Sequence, residues 1–228
     1  MTLLKPITVL LAEDHAIVRQ GLSALLKVDG HFAIVGEART GREAVVMVKA
    51  LQPDVILMDI AMPVLNGLEA TRQILIANPA ARILILSAHS DDEYIERTIA
   101  AGVAGFLEKQ TSAEILTKAI REVVKGNTFF SPSIAKRMNQ SHNQSRDREG
   151  LPTAKRNRLT SRESEVLQLV AEGLANKQMA AELGISIKTI EKHRQHLMDK
   201  LNIHDTAGLT RYAIAAGVIE NRVQLTIL

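Results

Sequence analysis

Four consecutive apolar residues, Val55 to Met58, run directly into Asp59, and a proline and a glycine follow at Pro63 and Gly67. A run without alternation reads as a strand buried on both faces, and the Pro and Gly mark the loop at its carboxyl end. A strand buried on both faces needs helices above and below, which restricts the segment to a covered parallel sheet. It also delivers a carboxylate to the carboxyl edge, where open parallel sheets bind ligands.

The surrounding pattern supports such a sheet. Strands are expected near residues 8–12, 33–36, 55–58, 83–86 and 105–107, with helical stretches near 15–28, 41–51, 67–78, 91–101 and 112–125. Right-handed crossovers then give a doubly wound, flavodoxin-like α/β domain with five parallel strands over residues 1–131. Residues 132–157 lose apolar periodicity and are rich in Ser, Asn and Gln, the composition of a flexible linker, although 133–138 can continue a short helix. Order resumes at Thr160-Ser-Arg-Glu163, a capping box, and residues 158–228 read as a separate all-α domain of four helices. Gly184-Ile-Ser186 joins the second and third as in a helix-turn-helix.

The net charge of +3 is uneven: −2 over 1–131, +4 over 132–157 and +1 over 158–228. A basic middle favours a polyanionic partner only weakly, since basic linkers are often merely solvated. With no cysteine, disulfides, thiolate nucleophiles and Cys zinc sites are excluded. No apolar run approaches the roughly 18 residues of a membrane helix, and the amino terminus lacks a signal-peptide pattern, so a soluble cytoplasmic protein with no membrane partner is expected.

Glu13 and Asp14 follow the first strand directly, Ser87 ends the fourth and Lys109 follows the fifth. Singly each has a plain reading: Asp14 a helix N-cap, Glu13 and Lys109 solvated charges, Ser87 a strand-end hydroxyl. Jointly, with Asp59, they place three carboxylates, a hydroxyl and an ammonium on one sheet edge. Crowded carboxylates repel unless a hard cation is bound, and Mg2+ fits an all-oxygen pocket that can also admit a phosphoryl oxygen.

Leu11-Ala-Glu13-Asp14-His15, Asp59-x-x-Met-Pro63-x-x-x-Gly67, Leu86-Ser87-Ala88-His89 and Gly105-Phe106-Leu-Glu-Lys109 resemble the receiver domain of two-component response regulators. The resemblance implies that Asp59 accepts phosphate from a sensor histidine kinase. It further implies that Glu13, Asp14, Asp59 and the Ala61 carbonyl hold Mg2+, that Ser87 and Lys109 bind the phosphoryl group, and that Ser87 and Phe106 form the switch. Three positions depart from the family pattern. Phe106 has no hydroxyl, so switching must rest on packing; Gln110 stands where proline is frequent; and Ala61 offers no polar side chain to assist phosphate loss.

On the third helix of the second domain, Ile187, Ile190, Leu197, Met198 and Leu201 share one side and read as a core stripe. Lys188, Glu191, Lys192, Gln195 and Asp199 lie opposite, a face suited to base edges in a major groove or simply to solvent. Leu159-Thr160-x-Arg162-Glu163-x-Glu165-Val166-Leu167, Gly173-Leu-Ala-Asn176-Lys177, Ile185-Ser186-x-x-Thr189-Ile190-Glu191-x-His193 and Lys200-Leu201 resemble the LuxR-type DNA-binding domain. The whole chain then resembles the NarL/FixJ response regulators. By that resemblance Glu191, Lys192 and Gln195 face bases, while Lys177, Lys188, Thr189, His193 and Arg194 are candidates for backbone contacts. Ala175 stands where the family has a capping serine, and Leu209, Tyr212, Ala213 and Ala216 match a dimer-forming helix or pack within the domain.

The implied function is a transcription factor, not an enzyme, controlled by phosphorylation at Asp59. Its implied partners are a sensor histidine kinase, double-stranded promoter DNA, a second copy on activation, and RNA polymerase. Two rivals remain. A phosphorylation-independent DNA-binding regulator would use the receiver as a dimerisation module, and an aspartate-nucleophile phosphatase would carry a second Asp where Ala61 stands.

Overall fold

The computed structural model describes residues 5–88, 92–136 and 159–219, with backbone only for 92–94. The expected linker falls outside the described residues from 137 onward. The chain divides into two units, Met1–Leu151 and Pro152–Leu228.

In the first unit, β1 (Ile7–Ala12), β2 (Phe32–Ala38), β3 (Val55–Asp59), β4 (Ile83–Ser87), β5 (Gly105–Glu108) and β6 (Phe129–Phe130) form one sheet in the order β2-β1-β3-β4-β5-β6. All five pairings are parallel. Helices α1 (Ala16–Asp29), α2 (Gly41–Leu51), α3 (Gly67–Ala77), α4 (Asp92–Ala100) and α5 (Ala113–Val124) connect the strands. The doubly wound topology is as expected, but there are six strands, not five. The sixth is two residues long, too short to leave a periodic signal, and forms only because β5 offers an open edge. Gly105 permits its approach: a Cβ there would stand 2.3 Å from the Phe129 carbonyl oxygen.

Strand alternation divides the core into two layers. Leu10, Ile56, Met58, Ile83, Ile85 and Phe106 face one side with residues of α2 and α3. Val9, Leu11, Val55, Leu57, Leu84, Leu86 and Leu107 face the other, with Leu26 of α1 and Leu116, Ile120 and Val123 of α5. Residues 132–136 are helical, and Ile134 is fully buried in the first layer, so packing of this unit continues past Ser131.

Side-chain oxygens of Thr40, Asn66 and Ser112 accept from the third backbone N–H of α2, α3 and α5, respectively. The N-cap of α1 is His15, with no side-chain cap bond, so the capping role that Asp14 suggests in isolation is not the one it takes.

In the second unit, α6 (Ser161–Ala171), α7 (Asn176–Leu183), α8 (Ile187–Leu201) and α9 (Thr206–Ala215) supply the four expected helices. The Thr160–Glu163 capping box is complete. At α7 it is half made: Gln178 accepts from the Ala175 N–H at 2.8 Å, while Ala175 has no hydroxyl to return the bond. Gly184, at φ 63°, ends α7 in the left-handed conformation, and Ser186 caps α8.

Candidate functional site

The strand order reverses between β1 and β3, which opens a crevice at their carboxyl ends. Glu13 follows β1, and Asp59 ends β3. Both are almost fully buried. Gly67 is required beside them because a Cβ there would stand 1.9 Å from the Asp59 carbonyl oxygen. The Gly67 N–H also donates to the Ile60 carbonyl at 2.8 Å, drawing the start of α3 against the strand tip. Within this loop Val64 has φ 69°, a left-handed conformation that a β-branched residue rarely adopts.

Lys109 reaches the carboxylates from β5. Its Nζ lies 2.9 Å from Asp59 Oδ2 and 2.9 Å from Glu13 Oε2. Asp59 Oδ1 accepts from the Ile60 N–H at 2.8 Å. Burial, and then the charge of Glu13, push the Asp59 carboxyl up to about 6, against the opposing pull of Lys109. Burial lowers the Lys109 ammonium, but the charge of Asp59 and the bonds to Glu13 and Asp59 raise it further, so it stays charged.

Ser87 is buried at the end of β4, one residue beyond the Leu86 that pairs with Asp59. Its carbonyl accepts from the Lys109 N–H at 2.8 Å, which ties the ends of β4 and β5. Phe106 is fully buried beneath, in the sheet layer opposite α1 and α5. Five sequence-predicted groups therefore share one sheet edge, and Ala61 lies in the adjoining β3–α3 loop.

Local pattern assigns no role to two further residues of this site. His15 places Nδ1 3.0 Å from Glu13 Oε1 and 2.9 Å from Asp14 Oδ1, so that Glu13, Asp14, His15 and Asp59 present metal-ligating atoms all within 4.8 Å of one another. Arg19 is buried in α1, donates from Nη1 to the Glu13 carbonyl at 2.7 Å, and pairs through Nε with Glu37 of β2 at 3.2 Å. Its position one turn after His15 was the only available signal.

In the second unit, Lys188, Glu191, Lys192 and Gln195 of α8 are exposed together, as is Lys177 of α7. Thr189, His193 and Arg194 are half-buried. Arg194 is turned inward: Nη1 donates to Asn176 Oδ1 at 2.7 Å and Nη2 to Thr206 Oγ1 at 3.3 Å. Thr189 Oγ1 lies 2.8 Å from the Ser186 hydroxyl at the helix start. The core stripe also differs from expectation. Ile190 and Leu197 are fully buried, but Ile187, at the first position of α8, is 45% exposed. On α9, Leu209 and Ala213 are fully buried in their own unit, which leaves Tyr212 and Ala216 half-buried.

Residues 9–121 match the response regulator receiver domain, and residues 157–213 match the bacterial regulatory proteins of the luxR family. The oxygen regulatory protein NreC of Staphylococcus carnosus is 35% identical over 93% of this chain and 99% of its own. The chain belongs to the NarL/FixJ group of two-component response regulators. Its relatives also include the response regulator VraR of Staphylococcus aureus, 34% identical over 94% of this chain and 99% of its own. Among solved structures, the RcsB response regulator of Salmonella typhimurium shares 25% identity and a TM-score of 0.57 over 93% of this chain and all of that one. RcsB has also been solved as dimers bound to DNA, with a TM-score of 0.56 and 26% identity over 91% of this chain and 98% of that chain. Receiver domains bind Mg2+ in an acidic pocket, and this response regulator has the acidic cluster such a pocket needs. Among the described residues no helix is long and apolar enough to cross a membrane.

Proposed function

We propose that this response regulator accepts a phosphoryl group on Asp59 from a sensor histidine kinase, and that phosphorylation controls sequence-specific binding of its second unit to promoter DNA. The observation that carries the reading is the buried Asp59 carboxylate held 2.9 Å from Lys109 beside Glu13. The crowded acids suit a divalent cation, for which Glu13, Asp14, Asp59 and the Ala61 carbonyl are the candidate oxygens. The cation would offset charge as a phosphoryl group arrives. Lys109 and Ser87 are the candidate partners of the transferred group, and movement of Ser87 and Phe106 would signal its presence. With alanine at position 61, phosphate loss should be unassisted from that position, so Ala61→Asn should change the phosphate lifetime.

Glu191, Lys192 and Gln195 are the candidate base readers, with Lys177, Lys188, Thr189 and His193 as backbone contacts. Arg194 serves better as an internal brace, given its bonds to Asn176 and Thr206. Half-burial of Tyr212 and Ala216 favours these two as the dimer-contact residues of α9.

Sequencing of genomic fragments captured by the protein tests the whole reading, with and without a beryllofluoride–Mg2+ mimic and with Asp59→Asn as control. A motif enriched only in mimic-treated wild type supports it. Equal enrichment in every sample would instead make the receiver a dimerisation module without a phosphorylation switch.

A further inference from the structure

After α5 the chain returns to the sheet and lies along the edge of β5. The Phe129 N–H donates to the Ala104 carbonyl at 3.0 Å, and the Ser131 N–H donates to the carbonyl of Phe106 itself at 3.1 Å. In register, Phe129 stands beside Gly105 and Phe130 beside Phe106. Further on, Ser133 Oγ donates to Glu108 Oε2 at 3.0 Å, and Glu108 is the residue that pairs with Ser87 across β4 and β5. Ile134 then turns inward. It is fully buried in the apolar layer that contains Phe106, with Phe130 packed against the same layer. Residues 129–136 therefore grip β5 at Phe106 and at the strand partner of Ser87, the two residues whose movement would signal a phosphoryl group.

We propose that residues 129–136 are a strap that reads the switch: seated, it holds Phe106 in place, and movement of Phe106 on phosphorylation of Asp59 expels Ile134 and frees the strap from β5. The inference rests on the proposed phosphorylation of Asp59 and goes beyond it by naming the segment that receives the signal. The polar part of the grip is thin. A two-residue ladder and a surface serine–glutamate bond make a segment of low local stability, the kind from which moving elements are drawn. Ile134 is the anchor, a fully buried branched side chain in a close-packed layer. Such a layer has discrete arrangements instead of deforming continuously, so displacing Phe106 within it closes the site that Ile134 fills. Phe106 has no hydroxyl, so its movement reaches the surface through packing and backbone, and the strap is joined to both. Eight freed residues span up to about 28 Å when extended, so release lengthens the tether that leads to the second unit.

The test is amide hydrogen exchange of the full chain by NMR, with Mg2+ alone and with beryllofluoride–Mg2+, whose binding is followed in the same samples by 19F NMR. Bound mimic should speed exchange at the Phe129 and Ser131 amides by about tenfold or more. Ile134→Ala should do the same without the mimic and, because coupling is reciprocal, should bind the mimic several-fold more tightly than wild type. Ser133→Ala, a surface change that spares the core, should shift both readouts in the same direction by a smaller factor. Bound mimic with unchanged exchange in the strap overturns the proposal and leaves phosphorylation of Asp59 standing. Faster strap exchange in both variants with mimic affinity unchanged in both makes the segment passive packing and overturns it equally. If Ile134→Ala also speeds exchange in β3, the receiver itself has loosened, and Ser133→Ala alone decides between these outcomes. If no mimic binds, the Asp59 site is not a phosphoacceptor, and both readings fall together.

Discussion

At the residue scale, Asp59 couples the chemistry of the pocket to folding. Its carboxyl is raised from 3.8 to about 6, so between those values the folded protein holds a proton that the unfolded chain has released. This contribution to stability is complete below about 4 and is lost as pH rises through about 6. Urea denaturation of wild type and Asp59→Asn without divalent ions should therefore show the variant gaining on the wild type across that interval, by about 1–3 kcal/mol at pH 7. A difference between the two that does not change with pH would contradict the cause assigned to the shift. Arg19 gives a second test. Its guanidinium holds the buried Glu13 carbonyl and pairs with the exposed Glu37, so Arg19→Ala should leave that carbonyl unmet, at a cost of about 1–3 kcal/mol by chemical denaturation. It should also weaken Mg2+ binding, because the turn carrying Glu13 and Asp14 loses its brace.

At the scale of elements, side chains fix where strands and helices begin. Asp54, just before β3, accepts from the Thr8 N–H at 2.8 Å and the Thr8 hydroxyl at 2.7 Å, and its own N–H donates back to that hydroxyl at 2.9 Å. Burial would raise the Asp54 carboxyl, but the bonds from Thr8 outweigh it and lower the group below 3.8. The stabilisation is thus present above about 4 and disappears as pH falls through the lowered value. Asp54→Ala should cost about 1–3 kcal/mol at pH 7 and progressively less in acid, readable as a converging urea midpoint. On α8 the exposed and inward-turned cations separate by experiment. Lys188→Ala should leave the melting temperature nearly unchanged and reduce the salt dependence of DNA binding by about one phosphate contact. Arg194→Ala should lower the melting temperature instead, through the lost bonds to Asn176 and Thr206.

At the scale of the whole molecule, the chain divides into two units, and the proposed function needs the state of one to bias the other. Such coupling is reciprocal: if the phosphoryl mimic tightens DNA binding, the DNA must tighten binding of the mimic by the same factor. Comparing beryllofluoride affinity with and without a captured DNA fragment measures it. Equal affinities would mean that the receiver does not communicate with the DNA-binding unit.

Local pattern alone predicts the doubly wound sheet, the four-helix unit and the placing of Glu13, Asp14, Asp59, Ser87 and Lys109 at strand ends. Those follow from apolar runs, turn residues and caps, whose physics acts over a few neighbouring positions. Long-range packing makes the two-residue β6, which exists through the edge of β5 and the bare Cα of Gly105. The tertiary structure likewise decided the burial of Arg19, the inward turn of Arg194, the exposure of Ile187 and the meeting of His15 with the acids. A charged or apolar residue on a helix reads the same in sequence whether its face meets solvent or a partner. What settles it is the packing of distant segments, and for Arg194 that partner is Asn176, 18 residues away.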